Sequence, residues 1–213
     1  MVPGVGGNVN RMDFGKLAKR WPVPFRRAPV RREQGFTLVE MVITLVVAAI
    51  LFAVAIPSFN NLINSNRLTT GANTLIGALN TARMEAIKRN GSVQFCSNSA
   101  TTNTTDTLGT ACATNAGAVF VQTGTATAST VLAPPSALSI PSVKVRGTIA
   151  AIRFNGTGVG YAPGSTTPFG SGTGSTVVEL CSTAMKTNND IQVNMATGSI
   201  ITSSSPTTVV TCP

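Results

Sequence analysis

Hydrophobic and polar positions follow three different rhythms along this chain, and each rhythm predicts a different element. From Met41 to Ile56 the run is apolar, with Thr44 the single interruption. Together with Phe36 to Val39 it reaches the roughly 20 residues that cross about 30 Å of hydrocarbon as a helix. Farther on, Leu68, Ala72, Leu75, Leu79, Ala82 and Ala86 recur at steps of three and four. That spacing places them on one face of a helix, which needs a surface to pack against. Beyond Gly91 the rhythm shortens into strand-like runs rich in Val, Ile, Thr and Phe, separated by turn residues.

The first two rhythms join into one helix from Phe36 to Arg89, about 80 Å long at 1.5 Å per residue. Pro57 is predicted to kink or locally break it, because proline removes a backbone hydrogen bond and crowds the preceding turn. The predicted end is at Asn90 and Gly91, where Lys88 and Arg89 complement the helix dipole and the glycine permits a left-handed stop. Candidate strands are SVQFCS (92–97), AVFVQT (118–123), LSIPSVKV (138–145), IAAIRFN (149–155), VVELCS (177–182), DIQVNMA (190–196) and TTVVTC (207–212). The stretches 98–116 and 162–175 are predicted to be exposed, mobile loops.

Charge changes the picture once it is divided. The net charge of +9 looks like a nucleic-acid signal, but residues 1–35 hold eight basic residues against Asp13 and Glu33, a net of +6. The remainder holds eight basic and five acidic residues, a net of +3. A basic flank before an apolar span follows the positive-inside rule, so the leader should lie in the cytoplasm and everything past Pro57 outside the inner membrane. The leader itself, rich in Gly, Pro and Arg, has no defensible period and should be disordered. It is long, and Met12 would give a shorter one.

Glu40 is the odd residue of the anchor. A carboxylate in such a run costs about 2.5–3.5 kcal/mol on insertion scales and is usually kept for a function. One reading puts it just outside the hydrocarbon, in the headgroup region. The other makes it a partner for a charge created nearby. Basic residues Arg31 and Arg32, the Gly35–Phe36 junction, Glu40 and the apolar run together resemble the signature of type IV prepilins and pseudopilins. The resemblance implies that a membrane prepilin peptidase cleaves after Gly35 and methylates the new amino terminus at Phe36. It further implies that Glu40 pairs with a terminal ammonium, its own or a neighbouring subunit's, during assembly. Because the junction precedes the apolar run, the anchor survives cleavage, unlike an ordinary secretory signal.

All four cysteines, Cys96, Cys112, Cys181 and Cys212, lie past the anchor. An even number in an oxidising compartment reads as two disulfides, and four cysteines allow three pairings. The pairing preferred here is Cys96 with Cys112 and Cys181 with Cys212, each closing a loop and each contributing on the order of 3 kcal/mol. With no CxxC pair and no histidine, no metal site and no cofactor is expected.

Beyond the anchor, TARMEAIKRNGSVQFCSNS, GAVFV (117–121), IRFNGTG (152–158), ELC (179–181) and IQVNMATGSI (191–200) resemble the GspH/FimT family. The family's fold is α+β: a long amino-terminal helix, membrane-spanning in its first half, packed on an antiparallel β-sheet head. On this chain it implies a leader at 1–35, a transmembrane and filament-core helix at 36–57, its amphipathic continuation at 58–90, and a head at 91–213. The implied role is structural, a minor pilin that initiates or caps a type IV pilus, with other major and minor pilins as partners. A minor pseudopilin of a type II secretion system is the alternative. One departure is the absence of tryptophan around GAVFV.

Some FimT proteins bind DNA through a Gly-Arg-x-Arg motif, whose place here is taken by Gly198, Ser199, Ile200 and Ile201. Both arginines are missing, and phosphate contacts by Lys and Arg supply most nonspecific affinity. Lys144, Arg146 and Arg153 remain as a weak candidate for DNA contact, against the plainer reading of a solvated strand face. An enzyme gains little support. Without histidine the usual base for a serine or cysteine nucleophile is missing, and Asp106, Glu179 and Asp190 are widely separated. The glycine runs at 156–160 and 170–174 lack the helix and lysine of a phosphate-binding loop.

Overall fold

A computed structural model of the chain describes residues 35–172, 174–206 and 209–213. The predicted disordered leader falls outside them, apart from Gly35. The chain divides into two compact units, Met1–Leu45 and Val46–Pro213.

In the first unit the described residues are exposed throughout, and helix α1 (Leu38–Arg89) begins here. In the second, α1 runs on without a break through Pro57, so the proline is absorbed within the helix. Its large apolar side chains from Val46 to Leu62 are uncovered, and the first buried residue is Asn64. The helix is long and apolar enough to cross a membrane. The NNLINSN stretch stays helical, and Asn64 turns its side-chain amide back onto the Asn60 carbonyl at 2.9 Å.

From Leu68 onward the helix changes character. Leu68, Ala72, Leu75, Leu79, Ala82 and Ala86 are all buried, with at most 1% of their surface accessible. They form one core with residues from both sheets described below. Gly71 sits at a close approach to the second sheet, since a Cβ there would lie 3.1 Å from Leu180 Cδ1. Arg67 donates to the Ser142 hydroxyl at 3.2 Å and Arg83 to the Ser199 carbonyl at 3.1 Å, tying the helix to the head at two levels. At its end the left-handed residue is Asn90 (φ 45°), not Gly91. Asparagine tolerates that region because its short polar side chain bonds locally. The Gly91 amide then reaches the Ala86 carbonyl at 3.1 Å, closing the last turn.

The head is two antiparallel sheets. The first contains β1 (Val93–Phe95), β2 (Val119–Gln122), β3 (Ala128–Leu132), β5 (Ile152–Phe154) and β6 (Gly160–Tyr161), in the order β3-β2-β1-β5-β6. The second contains β4 (Val143–Arg146), β7 (Ser175–Ser182), β8 (Asp190–Ala196) and β9 (Ile200–Ser204), in the order β4-β7-β8-β9. A short 3-10 turn, Ser136–Ser139, occupies the start of the predicted 138–145 strand. The sheets meet where the Ala150 amide donates to the Val177 carbonyl and the Gly160 amide to the Gly198 carbonyl, both at 2.7 Å.

Three expectations are corrected. Strands β3, β6 and β9 were not predicted; β3 is a half-buried and β9 a largely exposed edge strand, both rich in small or hydroxyl-bearing residues. The predicted final strand at 207–212 is absent over its described part, Val209–Cys212. There the Val210 backbone bonds the Asn189 side chain instead of a neighbouring strand. The 98–116 stretch is an ordered, partly buried cap containing α2 (Ala100–Asn103) and α3 (Thr107–Cys112), with Asn103, Leu108, Gly109 and Cys112 buried. Asn103 fixes it from inside, accepting from the Ser97 amide at 2.8 Å and donating to the Ala113 carbonyl at 2.8 Å. The other predicted loop, 162–175, is anchored by Phe169 against the core and by the Gly198 amide on the Phe169 carbonyl at 2.7 Å.

Candidate functional site

Gly35, Phe36 and Thr37 precede α1 in non-helical backbone, with Phe36 79% exposed. Thr37 caps the helix. Its hydroxyl accepts from the Glu40 amide at 3.2 Å, and its carbonyl accepts from the Met41 amide at 3.1 Å. Thr37 and Glu40 therefore stand at the T-x-x-E spacing of a capping box, just ahead of an apolar run. The spacing is visible in the sequence itself. Glu40 occupies the positive end of the helix dipole, which favours a carboxylate by about 0.3–1 kcal/mol at an exposed site. A terminal ammonium at Phe36 would start one residue before this cap.

In the head, the three cations predicted for DNA contact separate. Lys144 and Arg146 lie on β4 of the second sheet and Arg153 on β5 of the first. Arg146 donates to Glu179 at 2.8 and 3.0 Å. Arg153 donates to Asp106 at 2.9 Å and, through Nε, to the buried Gln94 Oε1 at 3.1 Å. Asp106 also caps α3 by accepting from the Gly109 amide at 2.9 Å. The Arg153 hydrogen bond, opposed by partial burial, holds the Asp106 carboxyl below the usual aspartate range. Lys144 has no carboxylate partner among the described residues. On α1, Arg89 likewise holds the Glu85 carboxyl low.

Cys96 is bonded to Cys112 and Cys181 to Cys212, with Cα separations of 5.4 and 5.7 Å. The first bond pins the α2–α3 cap to the end of β1. Among the described residues no cluster of three or more potential metal ligands occurs. An apolar groove of about 550 Å³ beside α1, lined by Thr70, Thr74, Leu132, Pro134, Pro135 and Ile140 among others, carries no titratable side chain.

Comparison with known families bears on both parts of the chain. The prokaryotic N-terminal methylation motif matches residues 30–56, spanning the junction, the Thr37 cap, Glu40 and the apolar run. The family described as type II transport protein GspH matches residues 71–198. The chain belongs to the GspH family. It is a prepilin-like protein of the GspH/FimT type, a minor pilin or pseudopilin, and such chains are structural subunits. The GspH match begins at Gly71, where α1 meets Leu180, and ends at Gly198 in the turn before β9. The motif implies processing by prepilin peptidase, anchoring in a membrane and assembly with other pilins or pseudopilins. No curated protein and no solved structure gives a significant match.

Proposed function

We propose that the mature chain begins at Phe36, methylated on its terminal nitrogen after cleavage behind Gly35, and that it serves as a minor type IV pilin which initiates or caps the filament. The observation that carries this reading is the methylation motif lying directly on the start of a long, uncovered apolar helix. Before assembly the helix anchors the chain in the inner membrane, with the leader in the cytoplasm and the head in the periplasm. During assembly Glu40 pairs with a terminal ammonium, which offsets the cost of its charge in a low-dielectric bundle. The uncovered apolar side chains between Phe36 and Leu62 pack against the helices of other pilins. A minor pseudopilin of a type II secretion system is the second reading, favoured by the description of the matched family. DNA uptake gains no support, because two of its three candidate cations are occupied by carboxylates.

Mass spectrometry of filaments sheared from native cells tests the proposal. The expected result is an amino-terminal peptide starting at Phe36 with one added methyl group. Mature peptide confined to the membrane fraction of piliated cells would select the pseudopilin, and an uncleaved leader in both fractions would overturn the processing.

A further inference from the structure

One end of the second sheet holds an arrangement that neither the methylation motif nor helix bundling uses. Asp190 opens β8 and is fully buried, yet neither of its carboxylate oxygens has a hydrogen-bond partner among the described residues. Directly opposite it on β7 is Cys181, so the two side chains share one face of the sheet. Cys181 is bonded to Cys212. Asn189, the residue before Asp190, grips Val210: its side-chain amide donates to the Val210 carbonyl at 2.8 Å, and its side-chain oxygen accepts from the Val210 amide at 3.1 Å. The segment Val209–Cys212 is thus tied on both sides of Asp190, along the chain and across the sheet. It lies past residue 198, outside the stretch matched to the GspH family.

The charged groups around Asp190 do not neutralise it. On β7 the nearest is Glu179, already held by Arg146 of β4 at 2.8 Å. On β4, Lys144 stands opposite Cys181, with that strand position between it and Asp190. Lys186 lies exposed in the β7–β8 connection. Pairing with β9 starts only at Gln192, opposite Ser204, and Val209–Cys212 brings no titratable side chain except the bonded sulfur. A carboxylate ionised in this place has no counter-ion of its own, and burying an unpaired charge is costly.

We infer that Val209–Cys212 is a latch over Asp190, locked by the Cys181–Cys212 disulfide and, once that bond is open, released by ionisation of the carboxylate beneath it. Opening requires a dithiol reductant: its thiolate attacks one sulfur, Cys181 and Cys212 leave as two thiols, and the reductant becomes a disulfide. Burial, with Glu179 adding to it and Arg146 and the residue's own backbone amide opposing, pushes the Asp190 carboxyl above the usual aspartate range. A raised acid contributes stability that is fully present below its unfolded value and is lost as pH rises through its folded value. Protonation therefore closes the latch and higher pH loosens it, while the disulfide overrides both.

Hydrogen exchange by mass spectrometry on the full chain in detergent micelles tests this. The readout is the peptide carrying Val209–Pro213, corrected for the intrinsic pH dependence of exchange. The unaltered protein should stay protected from about pH 3, below the ordinary aspartate value, to about pH 8. With Cys181→Ala and Cys212→Ala combined, protection should persist at the acid end and be lost as pH rises. Adding Asp190→Asn should abolish that pH response. A pH-independent latch in the double variant, or a response that survives Asp190→Asn, would overturn the inference. If the double variant also loses protection across β7, the carboxyl carbon of Asp190 in the unaltered chain is followed by NMR. A titration midpoint above about 4 is expected, and one at or below that ordinary value sinks the proposal.

Discussion

The Glu40 amide donates to the Thr37 hydroxyl across 3.2 Å, so the residue that starts the helix and the carboxylate that interrupts the membrane run belong to one structural unit. Cleavage after Gly35 would leave this cap intact, one residue inside the new terminus. Replacing Thr37 by alanine should cost about 1 kcal/mol of helix-start stability, and serine should restore it. Faster amide exchange at residues 38–41 in Thr37→Ala, with unchanged membrane insertion, is the expected result. Equal exchange in both variants would show that the cap contributes nothing.

Glu40→Ala should insert in the membrane at least as well as the unaltered chain, since it removes a group costing about 2.5–3.5 kcal/mol. It should nevertheless be depleted from sheared filaments. Quantifying the variant in the membrane and filament fractions checks this, and normal incorporation would remove the assembly role given to the carboxylate.

Arg153→Ala strands the buried Gln94 Oε1, which accepts from Arg153 at 3.1 Å. An unsatisfied buried acceptor costs about 1–3 kcal/mol, expected as a lower denaturation midpoint at neutral pH. The gap to the unaltered chain should narrow in acid. Asp106 is held below the ordinary range chiefly by Arg153, so its contribution is present above the unfolded value and is lost as pH falls through the folded one. A gap that widens in acid would contradict the assignment.

Gly71→Leu should destabilise the head by about 1–3 kcal/mol, because the added side chain has to enter the space of Leu180, 3.1 Å from the first added carbon. Gly77→Leu is the control on the same helix, since a Cβ there meets nothing within 4 Å. Thermal denaturation of the two variants side by side decides the matter: similar losses would mean that Gly71 does not set the helix-to-sheet distance.

The helix face from Leu68 to Ala86 was legible because burial there follows the 3.6-residue period and nothing else competes with it. Strands flanked by partners on both sides, such as β1 and β7, were legible from their Val, Leu and Phe content. Edge strands β3 and β9 were not, because only Val131, Leu132 and Ile201 reach the core, and then only partly, and an ASTVL or IITSS segment gains its order from one neighbouring ladder. The α2–α3 cap reads as loose because its Thr and Asn residues signal turns; its order comes from Asn103, which bonds Ser97 and Ala113 nearby, and from Arg153, far along the chain, which holds Asp106. The same distance hid the pairing of the candidate DNA cations, since Glu179 is 33 positions from Arg146 and Asp106 is 47 from Arg153. At the anchor the junction is legible as a motif, whereas the Thr37 cap shows only in its T-x-x-E spacing with Glu40, which hydrophobicity does not reveal.

The order of the strands also sets a timetable. In the second sheet β7, β8 and β9 pair with their neighbours in sequence, so that meander can close through short loops as soon as its residues are available. In the first sheet β1, β2 and β3 also pair in chain order, but β1, its middle strand, takes the much later β5 on its other side. The earliest strand of the head must therefore wait, half paired, for a strand some sixty positions behind it, Phe154 being the partner of Val93. The Cys96–Cys112 bond ties a 16-residue separation at the end of that waiting strand, so it can hold β1 near β2 while the rest arrives.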